Sequence, residues 1–239
     1  MFYYLVSSLV SYKLLLIAAA VIPAVLLMIK VYRSDRLEKE PPALLGRLLI
    51  VGILSALIAL VSERVLGLVL DLTVTENVTL YNVLLYFGVV AISEEGAKYF
   101  LLRLRTWNSP EFNCQYDGVI YAVFVSLGFA AWENISYVLH YGLQTAIVRA
   151  LTAIPGHACF GVFMGVFYGM AKRSERSGQA ERSKGFRVLA LIVPMLLHGA
   201  YDYIASVDTS IWYFVVFVAI LFVASYLLVG KMSKQDRYL

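Results

Sequence analysis

The chain has 239 residues, of which 61% are hydrophobic and 15% are charged, with a formal net charge of +4 and a mean hydropathy of +0.76. Soluble domains carry about 25% charged residues, so the composition excludes an ordinary soluble protein. The positive charge does not indicate a nucleic-acid partner, because the basic residues lie in loops between apolar runs, as membrane topology requires.

Seven apolar segments follow one another along the chain, each of a length that can cross a hydrocarbon core of about 30 Å as a helix. Their predicted bounds are Leu9–Ile29, Leu44–Val61, Leu80–Leu102, Val119–Leu139, Ala146–Ala171, Val188–Ala205 and Ile211–Val229. We therefore predict an all-α, polytopic transmembrane bundle. We expect it to form one integral membrane domain over residues 1–239 and to reside in a cell membrane.

The loops alternate in basic content. Lys and Arg are concentrated after the first, third and fifth segments and in the C-terminal tail, whereas the alternate loops contain only Arg64 and Arg149, with Lys13 near the N-terminus. By the positive-inside rule, this pattern predicts that the N-terminus is outside and the C-terminus is cytoplasmic. The linker at residues 172–187 is rich in Ser, Arg and Gly and is predicted to be mobile.

Segments three to six contain polar residues, whereas segments one, two and seven contain almost none and are predicted to be scaffold. The intramembrane polar residues are Glu94, Glu95, Lys98, Glu133, Asn134, His157, His198 and Asp202. Each charged side chain near the bilayer centre costs about 2.5–3.5 kcal/mol, so the charged ones together would cost on the order of 10 kcal/mol if unpaired. This cost predicts paired groups facing the bundle interior, and it indicates a functional site.

The spacing of two pairs predicts a shared interior face. Glu94 and Lys98 are four residues apart, so they lie one turn apart on the same side of a helix. His198 and Asp202 have the same spacing, which suits a carboxylate that accepts the imidazole N–H and fixes its tautomer. A lone Glu–Lys pair is often only structural, but here the adjacent Glu95 leaves two carboxylates sharing one lysine.

His157 begins a stripe of small residues, Gly161, Gly165 and Gly169, at four-residue steps. Small residues with this spacing mark a face where another helix packs closely, so His157 is expected to point into the bundle. A lone buried histidine is more often a packing residue than a ligand. Two histidines in the middle of the membrane favour the functional interpretation.

Four ordered motifs carry a resemblance to a known family. They are Glu94-Glu95-Gly96-Ala97-Lys98, Phe129-x-x-x-Glu133-Asn134, Gly156-His157 and His198-x-x-x-Asp202. Together they resemble the PrsW family, which belongs to a wider group of intramembrane proteases that includes the CAAX prenyl endopeptidases. The resemblance extends from about Tyr81 to Tyr203, which places the catalytic helices at about residues 80–205.

The resemblance implies an intramembrane peptidase that makes the site-1 cut in a membrane-anchored anti-sigma factor during an envelope-stress response. Glu94 and Glu95 match the paired glutamates of the family, and His198 matches its downstream catalytic histidine. Glu133 stands where the CAAX relatives have histidine, so its role is less defined. The implied partners are a membrane-anchored protein substrate and the lipid bilayer.

Peptide hydrolysis needs a water, a base that activates it, and groups that stabilise the oxyanion. We expect Glu94, Glu95, His157 and His198 to be catalytic and Lys98, Glu133, Asn134 and Asp202 to support them. A metal-free glutamate mechanism with no cofactor is preferred, because no H-E-x-x-H helix is present. The alternative is Zn²⁺ held by Glu95, His157 and His198.

Depth leaves one question open. Glu94 is expected about 12 Å from the cytoplasmic end of its helix, whereas Glu133 lies nearer the outer end of the next. Either the two helices are tilted or shifted, or Glu133 belongs to a second layer of the site.

Two other classes of function remain as alternatives. An ion-coupled transporter would also have ionisable residues in the middle of the membrane, although the chain shows none of the internal repeats common in transporters. A non-catalytic membrane scaffold is the third possibility.

Overall fold

The computed structural model describes residues 2–207 and 210–239, and for residues 2–9 it describes the backbone alone. The described part of the chain is helical almost throughout. Its α-helices are α1 (Phe2–Ser34), α2 (Pro42–Thr73), α3 (Val78–Val83), α4 (Ala91–Thr106), α5 (Asp117–Tyr141), α6 (Leu143–Leu151), α7 (Ala153–Arg176), α8 (Ala180–Ser206) and α9 (Ile211–Lys234). A π-helical segment, Leu84–Val90, joins α3 to α4 without a break.

Seven stretches of the described chain are long and apolar enough to cross a membrane. Five of them are the single helices α1, α2, α5, α8 and α9. The other two are composite: α3 and α4 form one span with the π-helical segment, and α6 and α7 form another. Every predicted apolar segment falls on one of these spans, so the prediction of an all-α transmembrane bundle is confirmed.

Helix α5 lies at the centre of the bundle, packed against α1, α2 and α7. Every residue from Asp117 to Ala130 is buried, which is the behaviour of a helix that is apolar on all sides and surrounded by other helices. The outer helices α8 and α9 expose large apolar side chains such as Leu196 and Val223. These faces suit contact with lipid.

The predicted glycine stripe of α7 packs directly on α5. A Cβ atom at Gly165 would lie 2.5 Å from the carbonyl oxygen of Gly118, and one at Gly161 would lie 2.8 Å from Oγ of Ser126. No side chain fits at either position, so the two backbones approach closely. One turn before Gly161, the His157 ring lies beside Phe129 of α5, with 5.5 Å between ring centroids.

The prediction of a mobile linker over residues 172–187 is wrong. Helix α7 continues to Arg176 and α8 begins at Ala180, so the connection is a tight turn in which Gly178 has a φ of +73°. Lys, Arg and Glu are good helix formers, and Lys172 pairs with Glu175 one turn on, at 2.9 Å between Nζ and Oε2. The charged residues therefore lengthen the helices instead of ending them.

The C-terminal tail is bonded to the α4–α5 loop. The Leu239 N–H donates to the Asn113 carbonyl at 2.7 Å, and the Gln115 N–H donates to the Arg237 carbonyl at 3.1 Å. The Asp236 carboxylate accepts from the Tyr116 N–H at 2.8 Å. These bonds hold the tail against the start of the central helix.

Candidate active site

The structure brings the polar residues of four helices together inside the bundle. Helix α4 contributes the paired glutamates and a lysine, α5 a glutamate, α7 a histidine, and α8 a histidine and an aspartate. Gly199 on α8 permits the approach of α8 to the π-helical segment, because a Cβ there would lie 2.5 Å from the Phe87 ring. The residues are Glu94, Glu95, Lys98, Glu133, His157, His198 and Asp202.

The Lys98 ammonium lies at the middle of this group and is fully buried. Its Nζ atom is 2.7 Å from Oε1 of Glu95 and 3.1 Å from Oε2 of Glu94. It is also 3.3 Å from Nδ1 of His157 and 3.7 Å from the centroid of the Phe129 ring. One cation is thus shared by two carboxylates, and the spacing of Glu94 and Lys98 produces the contact expected from sequence.

The two histidines are arranged alike. His198 has Nδ1 2.9 Å from Oε1 of Glu95 and Nε2 3.3 Å from Oδ2 of Asp202. His157 has Nδ1 facing Lys98 and Nε2 3.0 Å from Oε2 of Glu133. Each imidazole therefore directs Nδ1 to the cluster and Nε2 to an outer carboxylate, which is the arrangement that fixes a tautomer and orients a ring.

Glu133 lies in a second layer of the site, outside the paired glutamates. This is one of the two arrangements that its depth in the sequence allows. It contacts His157 and not the paired glutamates, and its Oε2 atom also lies 2.8 Å from Nη2 of Arg149. Asn134 supports this arrangement from the neighbouring position. Its Oδ1 accepts from Nε of Arg149 at 2.9 Å, and its Nδ2 donates to the Ala20 carbonyl of α1 at 3.1 Å.

Aromatic rings hold the histidines in place from the side. Phe160 stacks on His198, with 4.7 Å between centroids and 19° between planes. The same ring meets His157 edge to face at 5.8 Å. Stacking of this kind restricts rotation of both imidazoles, and sequence reasoning did not identify Phe160 as part of the site.

A cavity of about 610 Å³ opens from the cluster, and two residues at it were missed from sequence. Arg149 is one; in the sequence it counts only among the few basic residues of the alternate loops. Glu63 is the other; it lies on α2, beyond the segment Leu44–Val61 that is expected to be scaffold. The available signal was its position two residues beyond the predicted end of an apolar run. The ionisable side chains of the cavity are Glu63, Glu94, Glu133, Arg149, His157, His198 and Asp202.

The cavity reaches one end of the bundle. Its lining includes Thr152 at the α6–α7 junction and Val207 after α8. The other ends of α7 and α8 carry the basic residues Lys172, Arg173, Arg176, Arg182, Lys184 and Arg187. The site therefore communicates with the end of the bundle that has few basic residues.

The donor set fits a metal ion in kind and in number. Ligand atoms of Glu94, Glu95, His157 and His198 all lie within 4.8 Å of one another, and carboxylate oxygens with imidazole nitrogens are a typical zinc environment. The buried Oε2 of Glu95 has no hydrogen-bond partner among the described residues. The Lys98 ammonium places a positive charge among the same donors. The group thus contains the three zinc ligands considered from sequence, Glu95, His157 and His198, together with Glu94.

The family model and the curated proteins that match this chain all belong to one family. The model of a family described as "PrsW family intramembrane metalloprotease" matches residues 40–229. Protease PrsW of Bacillus subtilis is 32% identical over 207 residues, which cover 86% of this chain and 90% of that protein. Protease PrsW of Shouchella clausii is 33% identical over 225 residues, covering 93% and 98%. No solved structure is significantly similar to this chain.

These similarities extend over nearly the whole chain and agree with the motifs at the cluster. The description of the family as metalloproteases favours the zinc alternative over the metal-free mechanism preferred from sequence. Together with the seven spans, the matches identify a multi-pass bacterial membrane protein that is a peptidase. The chain belongs to the PrsW family of intramembrane metalloproteases.

Proposed function

We propose that this protein hydrolyses a peptide bond of a single-pass membrane protein of the anti-sigma-factor type, making the first cut of an envelope-stress response. The observation that carries the catalytic part is the buried cluster of Glu94, Glu95, His157 and His198 at the inner end of a polar cavity. We further propose that residues 1–239 act as one membrane domain, with the catalytic helices at about residues 80–205.

The orientation follows from the basic loops. With the N-terminus outside and the C-terminus in the cytoplasm, the cavity opens towards the outer surface. A substrate that crosses the membrane once would then reach the cluster from the outer side of the bilayer. This geometry suits a protease that makes the first of two cuts.

Zn²⁺ is the metal that best fits the donors, and Glu95, His157 and His198 would hold it. A zinc ion polarises a carbonyl and lowers the pKa of a water molecule. Glu94, which lines the cavity, is placed to accept the proton of the attacking water and to pass it to the leaving amine. Lys98 offsets the negative charge of the two glutamates.

The outer carboxylates act on the histidines. Glu133 holds Nε2 of His157 and Asp202 holds Nε2 of His198, so both rings keep Nδ1 directed at the cluster. Arg149 in turn holds Glu133. These residues position the reacting groups without touching the scissile bond.

The direct test is cleavage of a candidate single-pass anti-sigma factor by purified protein in detergent. We expect wild type to cleave, and Glu94→Gln, Glu95→Gln and His198→Ala to lose at least about 10³-fold in rate, as removal of an essential base or ligand does. His140→Ala is the matched control, since His140 is exposed near the end of α5 and should leave the rate unchanged.

Metal dependence is measured on the same preparation. We expect zinc to co-purify with wild type, and chelation to abolish cleavage until zinc is returned. Cleavage that survives complete removal of metal would reject the zinc assignment while leaving the peptidase intact. Equal cleavage by all of the glutamate and histidine variants would reject the site.

A further inference from the structure

A second cavity lies on the face of α7 that is turned away from His157. It is a groove of about 950 Å³ between α1, α7 and α9. Its inner wall is apolar and includes Pro155, Val162 and Phe222. The groove extends along α9 from Phe222 to Gln235, which is about 20 Å of helix. It therefore reaches from the interior of the bilayer to the surface that carries the basic loops.

The end of the groove at the membrane surface that carries the basic loops is itself strongly basic. Its lining contains no acidic residue, and its cations are Lys30, Arg33, Arg36, Lys231 and Lys234. All of them are exposed, and none forms an ion pair with a carboxylate in the part of the chain that the structure describes. The nearest acidic neighbours in sequence point elsewhere: Asp35 is buried, and Asp236 accepts from the Tyr116 N–H.

The groove thus combines an apolar wall within the bilayer with five cations at one membrane surface that have no carboxylate partner among the described residues, although the Lys30 ammonium lies 5.6 Å from the Tyr226 ring centroid. We propose that it binds an anionic phospholipid, with the phosphate headgroup among the five cations and an acyl chain along the wall formed by α7 and α9. Basic pockets between transmembrane helices bind anionic headgroups in this way. The long stems of Lys and Arg allow the charge to reach the headgroup level from a helix end.

A substrate segment is a poorer occupant. The catalytic cluster opens into the other cavity, and the groove is lined by residues of α7 such as Ala158 and Val162. These lie about 100–140° around the helix from His157. A peptide in the groove would therefore have α7 between itself and Glu94. The excess of unpaired positive charge also matches a phosphate better than it matches an apolar helix.

The test uses a tryptophan in the groove as a reporter of nearby lipid. Phe222→Trp is placed in full-length protein in phosphatidylcholine nanodiscs containing a minor fraction of phosphatidylglycerol, with bromine quenchers on the acyl chains of one lipid or the other. Val223→Trp is the matched control, because Val223 is adjacent, at the same depth, and exposed outside the groove lining. Emission from the native tryptophans is subtracted with the wild-type chain.

We expect phosphatidylglycerol to be enriched beside Trp at position 222, relative to position 223, by at least about fivefold, because each basic residue near a membrane surface contributes about that factor. Lys231→Gln with Lys234→Gln should remove most of the enrichment. The charge-matched pair Arg182→Gln with Lys184→Gln, remote from the groove, should preserve it.

Equal quenching by the two lipids at both positions would overturn the proposal, and so would an enrichment that survives loss of Lys231 and Lys234. Quenching by neither lipid at position 222, with normal quenching at 223, would also overturn it in favour of a protein occupant. If Phe222→Trp does not fold, Leu227→Trp replaces it, since Leu227 also lines the groove.

Discussion

Two groups of buried or half-buried carboxylates have different hydrogen-bond and ion-pair partners. Inside the bundle, Glu94 and Glu95 share the Lys98 ammonium, and Glu95 also contacts His198. At the end with the basic loops, three acids instead accept from neutral donors. Glu40 accepts from the Tyr121 hydroxyl at 2.9 Å, Asp117 from the N–H groups of Asn113 and Cys114, and Asp236 from the Tyr116 N–H.

The difference follows depth. A carboxylate in the hydrocarbon layer is removed from bulk water, so its charge is stabilised mainly by a cation or by a metal. Near the membrane surface, backbone N–H groups at the start of a helix and a tyrosine hydroxyl can stabilise a carboxylate. Where these donors are not enough, the carboxylate can take up a proton from solvent. Glu40, Asp117 and Asp236 form no ion pair with a basic residue in the described part of the chain. The contribution of these three acids to the folding stability of the protein should therefore depend on pH more than on any cationic partner.

Lys98→Met removes the cation from the inner group and should have the largest effect on stability. Loss of one partner of a buried ion pair destabilises by about 3–5 kcal/mol, which lowers Tm by roughly 6–20 °C in a protein of this size. We expect added Zn²⁺ to recover part of the loss, since it supplies positive charge to the same donors. Thermal unfolding of the purified protein in detergent, with and without zinc, measures both.

Lys184→Met is the control for that experiment. Lys184 also pairs with a glutamate, at 2.7 Å, but the side chains of Lys184 and Glu181 are 61% and 85% exposed. Exposed pairs contribute at most about 1 kcal/mol, so Tm should hardly change. Equal shifts for Lys98→Met and Lys184→Met would show that depth does not determine how these acids are satisfied.

Glu133→Gln tests the outer carboxylate of the inner group. Loss of the contact that orients a ligating histidine typically reduces activity or metal affinity about 10–100-fold, so we expect a lower kcat with the fold retained. Arg149→Gln should have a smaller effect in the same direction, because Arg149 acts on His157 only through Glu133. Cleavage rates are compared with those of His140→Gln, and rates equal to the control would remove Glu133 from the site.

The members of the inner group were predictable from sequence because ionisable residues stand out against apolar runs. The four-residue spacings further gave the contacts of Glu94 with Lys98 and of His198 with Asp202. These are contacts within a helix, where the 3.6-residue period determines which side chains meet.

The contacts between helices could not be obtained in this way. Arg149 lies on α6, and the helix is interrupted at Thr152 before α7 begins. The apolar run is continuous through this position, so the sequence gives no sign of the interruption that precedes the contact of Arg149 with Glu133. Glu63 lines the cavity because of the way α2 packs against its neighbours. Packing between helices cannot be predicted from the local spacing of residues. The contact of Glu133 with His157 likewise depends on how α5 packs against α7.

Glu40→Gln tests the surface group and should have the smallest effect. Burial raises the pKa of Glu40 from 4.5 to about 7, although the Tyr121 hydroxyl bond opposes the shift. Because the folded protein holds this proton more tightly than the unfolded chain, wild type loses stability as pH rises from about 4.5 to 7. Glutamine keeps an acceptor for Tyr121 and carries no charge. The variant should therefore melt roughly 2–4 °C above wild type at about pH 8, a gain near 1 kcal/mol, and close to wild type at about pH 5.

The control is Glu38→Gln, an exposed acid in the same linker whose Oε2 accepts from the Asn113 side-chain amide. We expect the Glu40→Gln difference in Tm from wild type to change more with pH than the Glu38→Gln difference does. The comparison of the two variants separates burial from simple loss of charge, because each removes one negative charge from the same surface. A Glu40→Gln difference that is constant between about pH 5 and pH 8 would mean that Glu40 is ionised throughout. An ionised Glu40 would need a cationic partner, as Glu95 has in Lys98. The proposed difference between the inner glutamates and the acids near the surface would then be wrong.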